Sequence, residues 1–287
     1  MGLEEFLKTG WAEHGDSPED VAELLAASTH LVTAADQVAP YAQLVTHVYG
    51  EHLAQWESGA EILESLRQLG VVHVAAGTRS VAVGIAALRY GAGDPTAIDT
   101  LSTDDAVSAL ATAASALAGR GEFARAVDSY TMALRTARSS TALAAPAIRS
   151  LAVGGNNLAA ALEEKSGRSD YETQGMLTAA EGGLQYWKLA GTWLEEERAE
   201  YRLARSRLQA GQAAAAVQSA ERCVRVCKRN GAPPFELFFG HAVLALAHRA
   251  AGDAEAFDTQ RREALACYGQ VPEDERKWCE SDRKELG

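Results

Sequence analysis

Along most of the chain, apolar residues recur at three- and four-residue spacing, the period of a helix with one buried face. Strict alternation of apolar and polar positions is scarce. The Val-rich stretch VVHVAAG at 71–77 is short and runs into helix-compatible sequence. Breaks come at Gly70, the GAGDP of 91–95, the GRGE of 119–122, the SGRSD of 166–170, Gly191, Gly211, the NGAPP of 230–234 and Gly252. Glycine and proline at such intervals punctuate helices of ordinary length. The pattern predicts an all-α chain of helix, turn, helix, repeated. Its abundant alanine lets neighbouring helices come close.

The repetition has a recognisable unit, AVSALATAASALAGRGEFARAVDSYTMALRTA at 106–137. Leu110, Ala114 and Leu117 form one face of a first helix and Gly121 turns the chain. Phe123, Ala126, Tyr130 and Ala133 form the inner face of a second. Weaker echoes lie at 49–66, 156–167, 201–223 and 243–266. This unit resembles the tetratricopeptide repeat family, with its Leu-Ala/Gly-x-x-aromatic helix, its turn glycine and its aromatic-x-x-Ala helix. The resemblance implies an all-α fold, a right-handed α-solenoid of stacked antiparallel hairpins over 1–287. Each hairpin would bury its apolar face on the next. A sub-division is expected at GAGDP, between acidic N-terminal hairpins or a cap (1–93) and tetratricopeptide-like repeats (94–287). The repeat units would lie near 103–138, 143–190, 192–229 and 234–269. The tail 270–287 would cap the last hairpin, with Trp278 packing it down.

Composition narrows the function classes. The chain has 287 residues, 47% of them hydrophobic and 23% charged, as in a globular protein. No apolar run approaches the roughly 20 residues of a membrane span. The first residues lack a basic segment followed by an apolar one. Four cysteines, all after residue 222, suit a reducing compartment better than a disulfide framework. A cytoplasmic location is therefore expected. Cys223 and Cys227 share a helix face and are expected to pack in a core as small apolar thiols. The net charge of −12 is concentrated at one end. Residues 1–66 hold 12 acidic residues against the single basic Lys8, and the rest of the chain is nearly balanced. This disfavours binding to nucleic acid or an anionic membrane.

Recognisable chemistry is sparse. No phosphate loop, nucleophile elbow, zincin helix or dinucleotide fingerprint is present, so a non-enzymatic protein is expected. GAGDP lacks the lysine and the preceding strand of a phosphate loop and is read as a turn. His47 and Glu51 share a helix face, with His52 rotated away, which leaves a metal short of a third ligand. His241 and His248 lie about 10 Å apart along their helix, too far for one ion. No metal and no cofactor are expected, and these histidines are read as packed or peripheral to a groove. Acidic groups cluster at Asp104–Asp105, Glu163–Glu164 and Glu195–Glu196–Glu197. The first pair, after Ser102 and Thr103, suits a helix start. None of the three is expected in an apolar setting that raises a pKa.

One constellation remains. In tetratricopeptide proteins the first helix of each hairpin lines a concave groove, where asparagines and basic residues hold a peptide. By that resemblance, Asn156 in SLAVGGNNLAAALEEK (150–165) would face the groove with Asn157 near its edge, and Gly154 and Gly155 would admit a close approach. Arg198, Arg202 and Arg205, at spacings of four and three with Tyr201 alongside, form one stripe on the next hairpin. Arginine forks match carboxylates. The competing reading pairs these arginines with Glu195, Glu196, Glu197 and Glu200 on a solvated face. His47, Glu51, His241 and His248 would be peripheral. The expected partner is a protein or peptide segment with acidic or C-terminal carboxylate groups, and a homodimer is possible. A ligand- or peptide-sensing regulator acting through a partner is the alternative, followed by an enzyme with an unrecognised site.

Overall fold

The computed structural model describes residues 2–73 and 75–287; for 72, 73, 75 and 76 it describes the backbone alone. Val74, in the VVHVAAG stretch, lies outside the described residues. The described residues are all-α, with fourteen α-helices and no strand. They form two compact units, Met1–Gly154 and Gly155–Gly287.

The first unit contains α1 (Leu3–Glu13), α2 (Pro18–Ala27), α3 (Val38–Thr46), a π-helical turn (His47–His52), α4 (Trp56–Leu66), α5 (Ala75–Ala92), α6 (Thr103–Gly119) and α7 (Phe123–Arg138). The unit boundary falls within α8 (Ala145–Glu164). The expected division near residue 93 falls inside this first unit, just after α5. Tyr41, Leu44, Leu63, Leu66 and Leu88 lie in its core. Two tyrosines there satisfy their hydroxyls on carbonyls of α2, Tyr41 on Leu25 and Tyr49 on Ala22.

The repeat unit at 106–137 forms α6 and α7, joined through Gly121 at φ +74°. A left-handed backbone costs glycine little, and it ends the first helix sharply. Ser102 caps α6, its Oγ accepting from the Asp105 N–H at 3.2 Å, with Asp104 and Asp105 in the first turn. Leu110, Ala114, Leu117, Ala126, Tyr130 and Ala133 are all buried. The Tyr130 hydroxyl donates to the Leu151 carbonyl of α8 at 2.8 Å.

Gly154 explains part of the odd composition of α8. A Cβ there would meet the Ala111 carbonyl oxygen of α6 at 3.0 Å and the Ala111 Cβ at 3.3 Å. A backbone carbonyl cannot rotate aside as a side chain can. The close helix contact therefore offsets glycine's helical cost of about 1 kcal/mol. Gly154→Val is expected to destabilise by about 1–3 kcal/mol through overpacking, read as a lower urea midpoint.

The second unit holds α9 (Asp170–Ala190), α10 (Trp193–Gln209), α11 (Ala213–Arg229), α12 (Pro234–Ala250), α13 (Ala254–Tyr268) and α14 (Arg276–Glu285). Capping boxes start α9 (Ser169 with Glu172) and α10 (Thr192 with Glu195), and Pro234 opens α12. Successive helices from α9 to α13 pack on one another, and α14 packs on α12 and α13. The tail is held by Cys279 and Leu286, buried with Phe238 and Ala242. Trp278 does not pin it as expected: the residue is 64% exposed.

Candidate functional site

The arginine stripe of α10 does not stand free; along its own helix only Arg198 approaches a carboxylate, Glu197 at 3.9 Å, among the described residues. Each guanidinium reaches a carboxylate on a different helix of the second unit. Arg198 Nη2 donates to Glu236 Oε1 on α12 at 2.5 Å. Arg202 Nη1 donates to Glu163 Oε2 in the last turn of α8 at 2.5 Å, and Ser206 Oγ donates to Glu163 Oε1 at 2.6 Å. Arg205 forms a bidentate pair with Glu285 on α14, at 2.8 and 2.9 Å. The Tyr201 hydroxyl donates to Asp282 Oδ1 on α14 at 2.6 Å, and its ring meets Phe239 edge-on at 5.7 Å. All four members of the stripe thus reach a carboxylate on another helix. Arg198 is 56% exposed on its side chain and keeps N–H donors to spare.

A second correction concerns the carboxylates. Glu197 is 1% exposed, on the α10 face turned to α11. Its Oε2 accepts from the thiols of Cys223 and Cys227 at 3.3 and 3.4 Å. Burial, and then a hydrogen bond to the Glu236 carboxyl, push Glu197 up to about 10. That shift favours the neutral acid at neutral pH, with Oε2 still accepting from the two thiols. Glu163 is likewise held above the usual carboxylate range by burial, against the pull of Arg202. Run-on glutamates suggest a solvated face, but Glu195 and Glu196 are half-buried, with Glu195 accepting from Thr192, and Glu197 is in the core. One residue further on turns the side chain by about 100°, into the core. Cys223 and Cys227 are both buried core thiols, as their shared face implies.

The asparagines are placed differently from the arginines. Asn156 is half-buried and Asn157 exposed, with Asn156 Nδ2 donating to Asn157 Oδ1 at 3.4 Å. His241 is buried, its Nδ1 2.7 Å from Gln260 Oε1, and burial lowers its pKa. His248 Nδ1 lies 3.9 Å from Asp253 Oδ2. In the first unit His47 Nδ1 meets Glu51 Oε2 at 3.0 Å. His52 is not rotated away from this pair: its Nε2 is 3.2 Å from His47 Nε2. The π-helical turn is the reason, because its i→i+5 bonding brings the fifth residue back over the first.

The second unit also has an open cleft of about 550 Å³. Pro233, Pro234 and Phe235 at the start of α12 form one wall, and Pro272 and Trp278 another; Arg198 and Glu236 sit at the polar end. The Lys277 ammonium lies 5.1 Å from the Trp278 ring centroid. Sequence reasoning missed this cleft because its walls lie far apart in the chain. The Pro-Pro-Phe run and the exposed-tail tryptophan were its visible signals.

No helix of the described residues is long and apolar enough to cross a membrane. No family model matches the chain, and no curated protein matches it. Among solved structures it is similar to the crystal structure of BtubC (BKLC) from P. vanneervenii. The two share 18% sequence identity, the match covers 76% of this chain and 92% of that one, and the TM-score is 0.47.

Proposed function

We propose that this chain is a non-enzymatic cytoplasmic scaffold, a tetratricopeptide-like solenoid that holds an extended peptide segment of a partner protein. The observation that carries this reading is the cleft beside Trp278. A tryptophan left 64% exposed between prolines and a phenylalanine is a large apolar surface awaiting cover. Rigid aromatic and proline walls suit an extended peptide, which loses little conformational freedom on docking there. Arg198, with donors beyond those given to Glu236, supplies a fork for a peptide carboxylate.

The test is binding of the full chain to an immobilised library of extended peptides with free C-terminal carboxylates. Trp and Arg anchors commonly carry 2 kcal/mol or more. Trp278→Ala is therefore expected to weaken capture by roughly 30-fold or more with unchanged thermal stability. Capture that survives Trp278→Ala but is lost in the Asn156→Ala/Asn157→Ala double variant would move the site to the amide face of α8. Equal capture by all three proteins would remove the cleft from the function.

A further inference from the structure

Three of the seven histidines converge in the first unit. His14 closes α1, and His47 and His52 begin and end the π-helical turn. Their ring centroids form a near-equilateral triangle, 4.8 Å for His14–His47, 4.9 Å for His14–His52 and 4.8 Å for His47–His52. One ring nitrogen from each lies within 4.8 Å of the other two. Tetrahedral zinc with Zn–N bonds of about 2.0–2.1 Å holds its nitrogens about 3.3 Å apart. The His47 and His52 Nε2 atoms are already 3.2 Å apart.

The outer contacts aim these rings. His14 Nδ1 lies 2.8 Å from the Trp11 carbonyl, a group that can only accept. That places the proton on Nδ1 and leaves the Nε2 lone pair free. His47 Nδ1 lies 3.0 Å from Glu51 Oε2, which likewise puts the proton on Nδ1; its Nε2 is then an acceptor, towards His52 Nε2–H in the metal-free form. A ligating histidine characteristically donates its other N–H to a carboxylate or carbonyl, which fixes the tautomer and sharpens the metal-facing nitrogen. Trp11 stands over two of the rings, at 5.3 Å from His14 and 5.1 Å from His47. Arg120 Nη1 donates to the His52 carbonyl at 2.6 Å and holds the end of the turn. The π turn itself is of a kind frequent at functional sites.

We propose that His14, His47 and His52 bind one divalent transition-metal ion of the zinc class through three imidazole nitrogens. All three rings are half-buried, so the fourth position faces outward for water or a donor from a partner. Glu51 and the Trp11 carbonyl are the orienting partners. The site lies in the first unit and draws on no residue of the peptide cleft.

The full chain, stripped with chelator and titrated with zinc chloride against a chromophoric competitor, is expected to take up one ion. Glu51→Gln should weaken binding roughly 10–100-fold, as loss of an orienting partner does, and His14→Ala or His52→Ala by more. His30→Gln and the Cys223→Ser/Cys227→Ser double variant should bind like the parent. The serine control matters because Glu197, Cys223 and Cys227 also group three ligand atoms. Cobalt substitution should give a tetrahedral nitrogen-ligand spectrum. A thiolate-to-cobalt charge-transfer band would place the ion on the cysteines and overturn the assignment. So would undiminished affinity in Glu51→Gln and His52→Ala together, or no uptake by the folded parent. Should a histidine variant lose its helical circular dichroism, Glu51→Gln and the cobalt spectrum decide the question.

Discussion

Arg202→Glu is expected to lower the stability of the fold by about 3–5 kcal/mol. The guanidinium it removes reaches Glu163, a carboxyl whose side chain is only 9% exposed. The new carboxylate would face that buried group instead. Breaking a buried pair costs about 3–5 kcal/mol, against a total stability of about 5–15 for an ordinary domain. Arg202→Met should cost less, about 1–3 kcal/mol. Burial already holds Glu163 above the usual carboxylate range, so without its partner it retreats to the neutral acid and keeps its bond from Ser206. Urea midpoints measure both. A midpoint for Arg202→Glu equal to that of the parent would mean that the α8–α10 clamp contributes nothing. The same argument makes Arg202 a poor probe of binding, since lost capture would report lost structure.

The other large effect is on the pH dependence of stability. Glu197 titrates near 4.5 in an unfolded chain and near 10 in the fold. Its contribution is complete below the lower value. Above it the unfolded chain has released a proton that the folded one keeps, so rising pH favours unfolding until the folded carboxyl also ionises. One such proton gives a slope of up to about 1.4 kcal/mol per pH unit. Glu197→Gln removes the titration while keeping an acceptor for the two thiols and a donor towards Glu236. The variant's stability is therefore expected to decline less than the parent's between about pH 5 and 9. Parallel curves for the two proteins would show that Glu197 is ionised in the fold.

The sequence makes helices legible and their partners much less so. Residues 106–137 declare α6, the turn at Gly121 and α7, because each signal lies within a few residues: a cap, a period, a glycine. Arg198 and Glu236 are 38 positions apart, and Arg205 and Glu285 are 80. Nothing local to either arginine distinguishes a clamp from a solvated charge. The arginine spacing suggests one stripe, and its members reach several helices at once. Glu197 misleads for the opposite reason, since its neighbours Glu195 and Glu196 make the whole run look solvated. The histidine cluster fails on period: an α-helix would separate His47 from His52, and His14 arrives from another helix. The twin asparagines of α8 are more accessible than the glycines before them, as their polarity suggests. The α6 backbone, lying against Gly154, accounts for one of those glycines.

The π-helical turn at His47–His52 carries a consequence of its own. In an α-helix, five residues advance the side chain by about 140° beyond one full turn. The same two imidazoles would then point to different faces without any change of residue. Relaxation of the intact segment to α would separate the pair, whereas deleting a single residue between them would leave an i,i+4 pair on one face of an α-helix. Leu53 N–H bonds to the Val48 carbonyl, five residues back, at 3.1 Å. The backbone bonding of the turn, as well as the side chains present, therefore bears on whether the two rings meet.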